Sequence, residues 1–375
     1  MKDQRKFIHF HCFVFLFIIY PFTLSSTEYL TVGGEKYGWE VSVHPDRGTI
    51  KQFRQLMGDV WETIPFRDDS LAGPAWSGMQ LCPSKKQLYV FEAHQGDIYY
   101  TLRYKAAYDH LIVECTISNR GDDVFRPEYS RLFIGVDSEM KTYPDWDTKF
   151  FPTLLRCEKD FAWGYFMSPR QIIMGIGVEE PVASYTLNYV YEGSMEWKWG
   201  HQIKTGSLDL LHCLPLPERH PQNNISLKPH ETRKWTLHLG VVDRLAGVKE
   251  KLSQWIQAPM IECEKYTMAG HETSRLLIHS QSGLEKLIVK APDGTQSVLP
   301  VDGVADNVYS ALFSPSSQKG LYRITATAIN GKTAEASIYI RNPWSWYMKN
   351  ARDFVARNPP LFSNGCEAFY GYYTA

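Results

Sequence analysis

The sequence predicts a mainly β protein that contains two antiparallel sandwiches, a helix between them and the first helices of an all-α domain. Three observations lead to this fold class. Apolar and polar residues alternate in short segments from Glu28 to about Asp243, which is the period of strands. The period becomes helical after Asp243 and then returns to strands, and it becomes helical again after Arg341. We therefore expect two β domains joined by a helix and followed by helical structure.

Residues 1–25 predict a secretory signal peptide. Lys2, Arg5 and Lys6 give it a basic start, the apolar stretch FIHFHCFVFLFIIYPF follows, and the small residues at Thr23–Ser25 suit cleavage. The apolar stretch is short for a bilayer span, which needs about 20 residues. We therefore expect export to the periplasm or the cell exterior, with no integral membrane span after cleavage.

Residues 26–243 predict the large sandwich. The stretch DIYYTLRYKAAYDHLIVECTISNRGDD alternates over two strands and ends in a turn at Asn119–Asp122. The stretches RQIIMGIGVEEPVASYTLNYVY and TRKWTLHLGVVD continue in the same style. Because no regular helical segments separate these strands, the pattern favours a large antiparallel sandwich over a βαβ fold.

Residues 244–258 predict a connector helix, which Pro259 terminates. Because its apolar residues recur at the helical period, one face of this helix is expected to pack against the large sandwich. These apolar residues are Leu245, Val248, Leu252, Trp255 and Ile256.

Residues 259–341 predict a smaller, immunoglobulin-like sandwich of short strands. Asp293-Gly294 and Asn330-Gly331 lie between strand-like segments and are expected to form hairpin turns. Alternate residues from Tyr322 to Ala328 are apolar, so one face of that strand is expected to line a core.

Residues 342–375 predict the first helices of an all-α domain. Asn342 and Pro343 can start a helix, and Asn358–Pro360 would stop it. A second helix is expected at Glu367–Tyr373. The apolar faces of these helices need a partner, which can be the sandwiches, another chain or a further domain. The apolar residues of the first helix are Trp344, Tyr347, Ala351, Phe354 and Val355.

Composition excludes several classes of function. Lys and Arg number 40 against 41 Asp and Glu, so the formal net charge of -1 provides no long-range field for nucleic acid. The cysteines are scattered without a CxxC pair, which argues against zinc and thioredoxin-like sites. No P-loop, G-x-S-x-G or H-E-x-x-H motif occurs, and we expect no metal and no cofactor. The aromatic content of 14% suits sugar-stacking surfaces or a large β protein.

The order of these segments and several motifs resemble one group of enzymes. The motifs are NPWSWYMKNARDFV, SNGCEAFYGYY, TYPDWDTKFFPTLLRCEKDFAWGYFMSP and PLPERHPQN. The chain resembles the N-terminal part of secreted bacterial (α/α)6 six-hairpin enzymes that degrade polysaccharides. The resemblance implies that the large sandwich is galactose-mutarotase-like and that the complete enzyme is a glycoside hydrolase rather than a lyase. It also implies a polysaccharide or oligosaccharide as the partner.

The resemblance further implies a helical catalytic barrel, of which this chain contains one helix and the start of a second. On this basis we expect the chain to be truncated after Ala375 and to lack the catalytic domain by itself. Its C-terminal helices would then present a surface to a domain partner.

Glu367 is the candidate catalytic carboxylate. Glycoside hydrolysis requires two carboxyl groups, one protonated and one ionised. The resemblance places Glu367 at the start of an inner barrel helix that borders the substrate cup. The alternative is that Glu367 lies in a first helical turn and only interacts favourably with the helix dipole.

Asp145, Trp146 and Asp147 form the first candidate cluster for glycan binding. Two carboxylates around an indole can hold sugar hydroxyls while the ring stacks on the sugar face. The alternative is a surface loop in which Trp146 fills a domain interface.

Trp197, Trp199 and His201 form the second candidate cluster. All three fall on one side of a strand, because side chains two positions apart share a face. This stripe can be a glycan platform or a ledge on which the helical domain docks.

The sequence leaves three functions open. The first is the non-catalytic N-terminal part of a polysaccharide-degrading enzyme, which supports a helical barrel. The second is a self-standing secreted glycan-binding protein that uses the tryptophans of the two clusters. The third is a mutarotase-like enzyme with its site on the sandwich itself, for which Glu192, Glu196 and His201 are the available groups.

Overall fold

The computed structural model confirms the predicted mainly β class. The predicted signal peptide at 1–25 and the predicted second C-terminal helix at Glu367–Tyr373 lie outside the residues that the structure describes. Within the described residues, no helix is long and apolar enough to cross a membrane. The described residues are 28–66, 70–71, 76–83, 85–134, 151–167, 172–191, 201–212, 223–316 and 318–357.

The larger sandwich contains strands β1 to β15. In chain order these are β1 (Leu30–Gly34), β2 (Trp39–Val43), β3 (Ile50–Met57), β4 (Val60–Pro65), β5 (Gln80–Leu81), β6 (Leu88–Gln95), β7 (Ile98–Ala106), β8 (Leu111–Asn119), β9 (Tyr129–Ile134), β10 (Phe151–Cys157), β11 (Ala162–Met167), β12 (Ile173–Val178), β13 (Ser184–Tyr191), β14 (His201–His212) and β15 (Thr232–Val242). A 3-10 turn at Glu35–Tyr37 joins β1 to β2.

The rest of the described chain contains two helices and the strands of the smaller sandwich. In chain order these are α1 (Val248–Ile256), β16 (Met260–Cys263), β17 (Thr267–Ala269), β18 (Ser274–His279), β19 (Leu284–Lys290), β20 (Gln296–Val298), β21 (Gly303–Ala305), β22 (Val308–Phe313), β23 (Gly320–Ala328), β24 (Thr333–Arg341) and α2 (Trp344–Arg357). A 3-10 turn at Leu245–Gly247 precedes α1. Helix α1 lies within the segment predicted as a connector, and α2 begins directly after Pro343.

Three antiparallel sheets build the larger sandwich in the described residues. The largest has eight strands in the order β10-β11-β12-β15-β8-β7-β6-β5. A four-stranded sheet runs β1-β2-β3-β4, and a three-stranded sheet runs β13-β14-β9. Alternate residues of β8 are fully buried in a core that contains residues from all three sheets: Leu111, Val113, Cys115 and Ile117. One face of the eight-stranded sheet therefore packs against the two smaller sheets.

Helix α1 packs on the opposite, outer face of the eight-stranded sheet. Gly175 and Gly177 of β12 and Gly240 of β15 lie on this face, and Gly175 pairs directly with Gly240. A methyl group added at Gly177 would lie 2.5 Å from Cγ2 of Ile256, and one added at Gly240 would lie 2.8 Å from Cη2 of Trp255. These glycines form a shallow groove, because only a strand without side chains lets the helix approach so closely.

The smaller sandwich consists of a four-stranded sheet, β16-β18-β22-β21, and a five-stranded sheet, β17-β24-β23-β19-β20. Strands β17 and β24 are parallel, and the other neighbouring strands are antiparallel. Gly294 (φ 89°) and Gly331 (φ 86°) adopt the left-handed conformation in the β19–β20 and β23–β24 hairpins. The predicted Asp293-Gly294 and Asn330-Gly331 turns are therefore confirmed.

A second apolar core joins the two sandwiches through α1. It contains Phe161 and Trp163 of the larger sandwich, Leu252 of α1, and Leu276 and Ile338 of the smaller sandwich. Because these buried side chains form one contiguous cluster, the smaller sandwich packs directly onto the larger one.

Polar contacts reinforce this junction. The Asp160 carboxylate accepts hydrogen bonds from the backbone N–H of Thr333 at 2.9 Å and from its hydroxyl at 2.6 Å. The Lys332 ammonium donates to the Ile256 carbonyl at 2.8 Å. The β23–β24 hairpin thus contacts both the larger sandwich and the C-terminal end of α1.

Helix α2 continues from the end of β24, and none of its residues is buried. The guanidinium of Arg341 lies 4.7 Å from the ring centre of Trp344, which ties the first turn of α2 to the five-stranded sheet. We call the exposed large apolar side chains of this helix the α2 apolar face. They are Trp344, Trp346, Tyr347, Met348, Phe354 and Val355.

Candidate functional site

Most of the residues predicted to bind or cleave a glycan lie outside the described residues, and their roles stay predictions. His201 is the first residue of β14, where its backbone pairs with Tyr191 of β13. Strands β9 and β13 both pair antiparallel with β14, so they end at the same end of this sheet. The segments 135–150 and 192–200, which carry both glycan clusters, follow these two strand ends. The residues outside the described part are Glu367, Asp145, Trp146, Asp147, Trp197 and Trp199.

A line of hydrogen-bonded, charged side chains lies between the larger sandwich and helix α1. We name it the polar chain, and it consists of Lys251, Asp109, His110, His238 and Glu179. Lys251 belongs to α1 and His238 to β15, whereas Asp109 and His110 lie in the β7–β8 turn and Glu179 follows β12. The polar chain therefore connects three strands of one sheet to the helix that packs on it.

Sheet geometry brings these residues together. The β7–β8 turn is closed by a hydrogen bond of 3.0 Å from the Ala107 N–H to the His110 carbonyl. The Glu179 N–H donates to a carbonyl of β15 at 3.0 Å, which holds the end of β12 beside that strand. His238 pairs with Gly177, so its imidazole lies on the outer face beside the groove that receives α1.

The four contacts of the polar chain are short. Nζ of Lys251 lies 2.6 Å from Oδ2 of Asp109, and Oδ1 of Asp109 lies 2.7 Å from Nδ1 of His110. Nε2 of His110 lies 2.8 Å from Nδ1 of His238, and Nε2 of His238 lies 2.8 Å from Oε1 of Glu179. The side chains of His110 and His238 are 9% and 4% exposed, whereas those of Asp109 and Glu179 are 33% and 38% exposed. The middle of the polar chain is buried and both ends reach solvent.

The hydrogen atoms on the two imidazoles can be counted from these contacts. Four ring nitrogens take part in three hydrogen bonds, and two of these bonds end on carboxylates. An ionised carboxylate only accepts, so the rings must supply three N–H hydrogens, one for each carboxylate and one between the rings. Two neutral imidazoles carry only two N–H hydrogens. One member of the pair is therefore cationic when both carboxylates are ionised.

The electrostatics of the site favour ionised carboxylates. The hydrogen bond from His110, together with Lys251, holds the pKa of the Asp109 carboxyl well below its usual range despite its partial burial. Burial acts to raise the pKa of Glu179, but the hydrogen bond and charge of His238 and nearby lysines lower it overall. Burial lowers the pKa of His110, and the charge of His238 adds to this effect against the opposing effect of Asp109. Burial thus opposes a positive charge on His110.

Trp255 of α1 covers the buried middle of the polar chain. Its ring stacks on His110 with the ring centroids 4.6 Å apart and an interplanar angle of 29°. Its Nε1 lies 3.4 Å from Oδ2 of Asp109. Because Lys251 and Trp255 both belong to α1, the polar chain fastens this helix to the sheet.

A cleft of about 410 Å³ opens beside the Lys251 end of the polar chain. Lys251 lines this cleft and neither histidine does, so a molecule in the cleft meets Lys251 rather than an imidazole. In the part of the chain that the structure describes, no group of three or more His, Cys, Asp or Glu side chains is arranged to hold a metal ion. The cleft is lined by Val242, Asp243, Arg244, Gly247, Glu250, Lys251 and Gln254.

The sequence patterns did not identify the polar chain. Asp109 and His110 lie in DIYYTLRYKAAYDHLIVECTISNRGDD and His238 lies in TRKWTLHLGVVD, two stretches that only indicated strands. A local signal does exist, because an imidazole inside an apolar strand requires a hydrogen-bond partner when it is buried. That signal does not tell which residue is the hydrogen-bond partner of the imidazole.

Several solved structures are similar to this chain, whereas no family model and no curated protein matches it. A polysaccharide lyase aligns at a TM-score of 0.55 and 14% identity, over 91% of this chain and 50% of the lyase. A galactose mutarotase related enzyme from Lactobacillus acidophilus aligns at a TM-score of 0.34 and 6% identity, over 57% of this chain and 97% of that enzyme. A galactose mutarotase-like protein from Lactobacillus casei aligns at a TM-score of 0.35 and 9% identity, over 57% of this chain and 100% of that protein. The chain shares its β architecture with the lyase and spans half of the lyase's length.

Proposed function

We propose that this chain forms the non-catalytic β-sandwich modules of a secreted polysaccharide-degrading enzyme, and that a helical catalytic domain packs on the α2 apolar face. The α2 apolar face is the observation that carries the proposal. The architecture shared with the polysaccharide lyase supports it.

The lyase supports the proposal because it is longer than this chain. The alignment covers 91% of this chain but only 50% of the lyase. Domains of this architecture thus occur as one part of a larger polysaccharide lyase. The resemblance of the sequence to six-hairpin enzymes adds the expectation that the catalytic part is helical.

Helix α2 requires a covering partner. Trp344 and Met348 are 67% and 68% exposed, and no residue of this 14-residue helix is buried. A helix of this length is marginal in water without tertiary packing. Exposed apolar surface on a structured helix is typical of an interaction site. A helical domain would cover this face by helix-on-helix packing.

The exposed apolar surface continues onto the five-stranded sheet. Leu321 and Tyr339 form a directly opposed cross-strand pair, and both side chains are exposed. Tyr339 lies two positions before Arg341, whose guanidinium is over the ring of Trp344. The surface available to a partner therefore includes one face of the smaller sandwich as well as α2.

Hydrolysis is our proposal for the reaction of the complete enzyme, because the sequence resembles glycoside hydrolases. Glu367 is then the first candidate for one of the two required carboxyl groups. The aromatic clusters around Trp146 and at Trp197 and Trp199 are proposed glycan contacts. Elimination, the reaction of a lyase, leaves an unsaturated sugar, so the products distinguish the two reactions.

Polysaccharide degradation is expected only from a chain that carries the helical domain. The test is to express residues 1–375 and, separately, the longest reading frame in the source DNA that contains them, and to incubate both with a polysaccharide panel. Release of reducing ends measures cleavage, and ultraviolet absorbance of unsaturated sugars identifies elimination. Cleavage by residues 1–375 alone would contradict the proposal. Specific glycan binding without any longer reading frame would favour a self-standing binding protein.

The docking role of α2 has its own test in the longer protein. Met348→Glu is expected to lower polysaccharide cleavage at least about tenfold, because a buried unpaired carboxylate costs several kcal/mol at a packed interface. Val60→Glu is the matched control, since Val60 is the exposed first residue of β4 in the larger sandwich. Equal activity of both variants would show that α2 is not the docking surface.

A further inference from the structure

The histidine pair lies where the larger sandwich, α1 and the smaller sandwich meet. His110 and His238 come from the larger sandwich, and Trp255 of α1 stacks on His110. Lys332 of the β23–β24 hairpin donates to the Ile256 carbonyl at the end of α1. A change in the protonation of the histidine pair therefore affects the packing of α1, which lies between the two sandwiches.

We propose that His110 and His238 hold a single shared proton, and that this proton makes their hydrogen bond a pH-dependent latch between α1 and the larger sandwich. The inference rests on the hydrogen-bond count in the polar chain and is independent of the proposed function.

Charged groups face the pair from every element packed around it. Asp109 and Glu179 flank the imidazoles directly, and Lys251 of α1 neutralises Asp109. Lys332 of the β23–β24 hairpin and Lys234 of β15 act on Glu179. Glu179 in turn acts on Glu180, which follows it after β12, and Asp160 before β11 acts on Lys332. Two carboxylates in direct contact with the pair balance one shared proton and the Lys251 ammonium.

A second proton on the pair breaks the latch on the acid side. Both facing nitrogens would then carry hydrogens across 2.8 Å, so the bond between the rings is lost. Two like charges would also be buried next to each other. Trp255 rests on His110, so α1 is expected to loosen with the pair.

Loss of the shared proton weakens the latch on the alkaline side. Two neutral imidazoles satisfy only two of the three hydrogen bonds. If the hydrogen bonds from His110 to Asp109 and between the rings are both kept, Nε2 of His238 faces Oε1 of Glu179 across 2.8 Å with no hydrogen between them. If His238 instead donates to Glu179, the two facing ring nitrogens have no hydrogen between them and the bond between the rings is lost. Two buried acceptors in contact cost the desolvation that the hydrogen bond had offset.

The sign of the acid effect follows from the pKa of His110, which burial lowers in the folded chain. An unfolded histidine titrates near pH ~6.5, so below that pH the unfolded chain binds more protons than the folded chain. The free energy of unfolding therefore falls as the pH falls below about 6.5 and through the folded pKa. The lowered pKa values of Asp109 and Glu179 act in the same direction near pH ~4, the range of unfolded carboxyls.

Counting the hydrogens on the pair tests the proposal directly. In the chain labelled with ¹⁵N-histidine, nuclear magnetic resonance near neutral pH should show three protonated ring nitrogens out of four on His110 and His238. Assignment uses the loss of signals in His110→Gln and His238→Gln. Two protonated nitrogens would overturn the proposal.

Hydrogen exchange of the α1 amides tests the mechanical consequence. Protection factors of Leu252 to Ile256, corrected for intrinsic exchange, should fall at least about tenfold, or 1.4 kcal/mol, between pH ~7 and pH ~5. Amides of the central strand β8 should keep their protection over the same range. Unchanged α1 protection between these pH values would overturn the latch.

Glu179→Gln separates the latch from a general loss of stability. The carboxamide N–H can donate to Nε2 of His238, so two neutral imidazoles satisfy all three hydrogen bonds in this variant. We expect two protonated ring nitrogens in place of three, and no loss of α1 protection on the alkaline side. If the histidine pair still carries three protonated ring nitrogens in this variant, the shared-proton proposal is wrong.

Glu40→Gln is the matched control, because Glu40 of β2 binds Arg54 at 2.6 Å and belongs to the four-stranded sheet, whereas the histidine pair lies on the eight-stranded sheet. This variant should keep three protonated ring nitrogens and the pH dependence of the unmodified chain. If Glu179→Gln does not fold, the hydrogen count in the unmodified chain decides the question.

Discussion

Replacing Trp255 with alanine is expected to lower the free energy of unfolding by about 3–5 kcal/mol, the range for large buried aromatic residues. Trp255 is 7% exposed and its ring stacks on His110 at 4.6 Å. The truncation removes this contact, leaves a cavity between α1 and the sheet and admits water to the histidine pair. Urea or thermal unfolding of the purified chain measures the change.

Trp346→Ala is the matched control for this prediction. It removes the same side chain from α2, where Trp346 is 47% exposed, and should stay within about 0.5 kcal/mol of the unmodified chain. Trp255→Phe should recover part of the loss, because a smaller ring can still lie on His110. A change below about 1 kcal/mol for Trp255→Ala, the typical effect of an arbitrary substitution, would show that α1 is not a principal contact.

Gly177→Ala and Gly240→Ala are each expected to cost about 1–3 kcal/mol, because added methyl groups overpack the groove beneath α1. The new methyl carbon at position 177 would lie 2.5 Å from Cγ2 of Ile256. The one at position 240 would lie 2.8 Å from both Cη2 of Trp255 and Cβ of His110. None of these three atoms is the free end of a flexible side chain, so α1 must shift away from the sheet. Unfolding experiments and hydrogen exchange of α1 amides both report this shift.

Gly247→Ala provides the comparison for the two groove variants. A methyl group there would meet nothing closer than 3.5 Å, and the residue precedes α1 with a negative φ. Its cost is expected to stay within about 0.5 kcal/mol, as for substitutions that create no close contact. If all three variants lost the same stability, close packing of α1 in the groove would not be the cause of the loss.

Local patterns were sufficient for much of this fold. Alternation of apolar residues predicted the strands β7 and β8, and the helical period predicted α1 and α2. Glycine at positions 294 and 331 marked two hairpins, because its backbone adopts the left-handed conformation that these turns require. Each of these features depends on residues that are close together in the sequence.

The surface that receives α1 could not be predicted in this way. Apolar residues on one side of α1 indicated that the helix packs against something. In the sequence, however, Gly175, Gly177 and Gly240 are only weak strand formers. Their role becomes visible when β12 and β15 lie side by side and the three positions form one groove.

The sequence by itself determined the mainly β class, the positions of α1 and α2 and the apolar character of both helices, because periodicity and turn residues act over short distances. The tertiary structure decided the polar chain. His110 and His238 are 128 positions apart, and the pairing of β8 with β15 brings their rings to 2.8 Å. A buried proton between them depends on that distance and on two carboxylates from other elements, which no local pattern specifies.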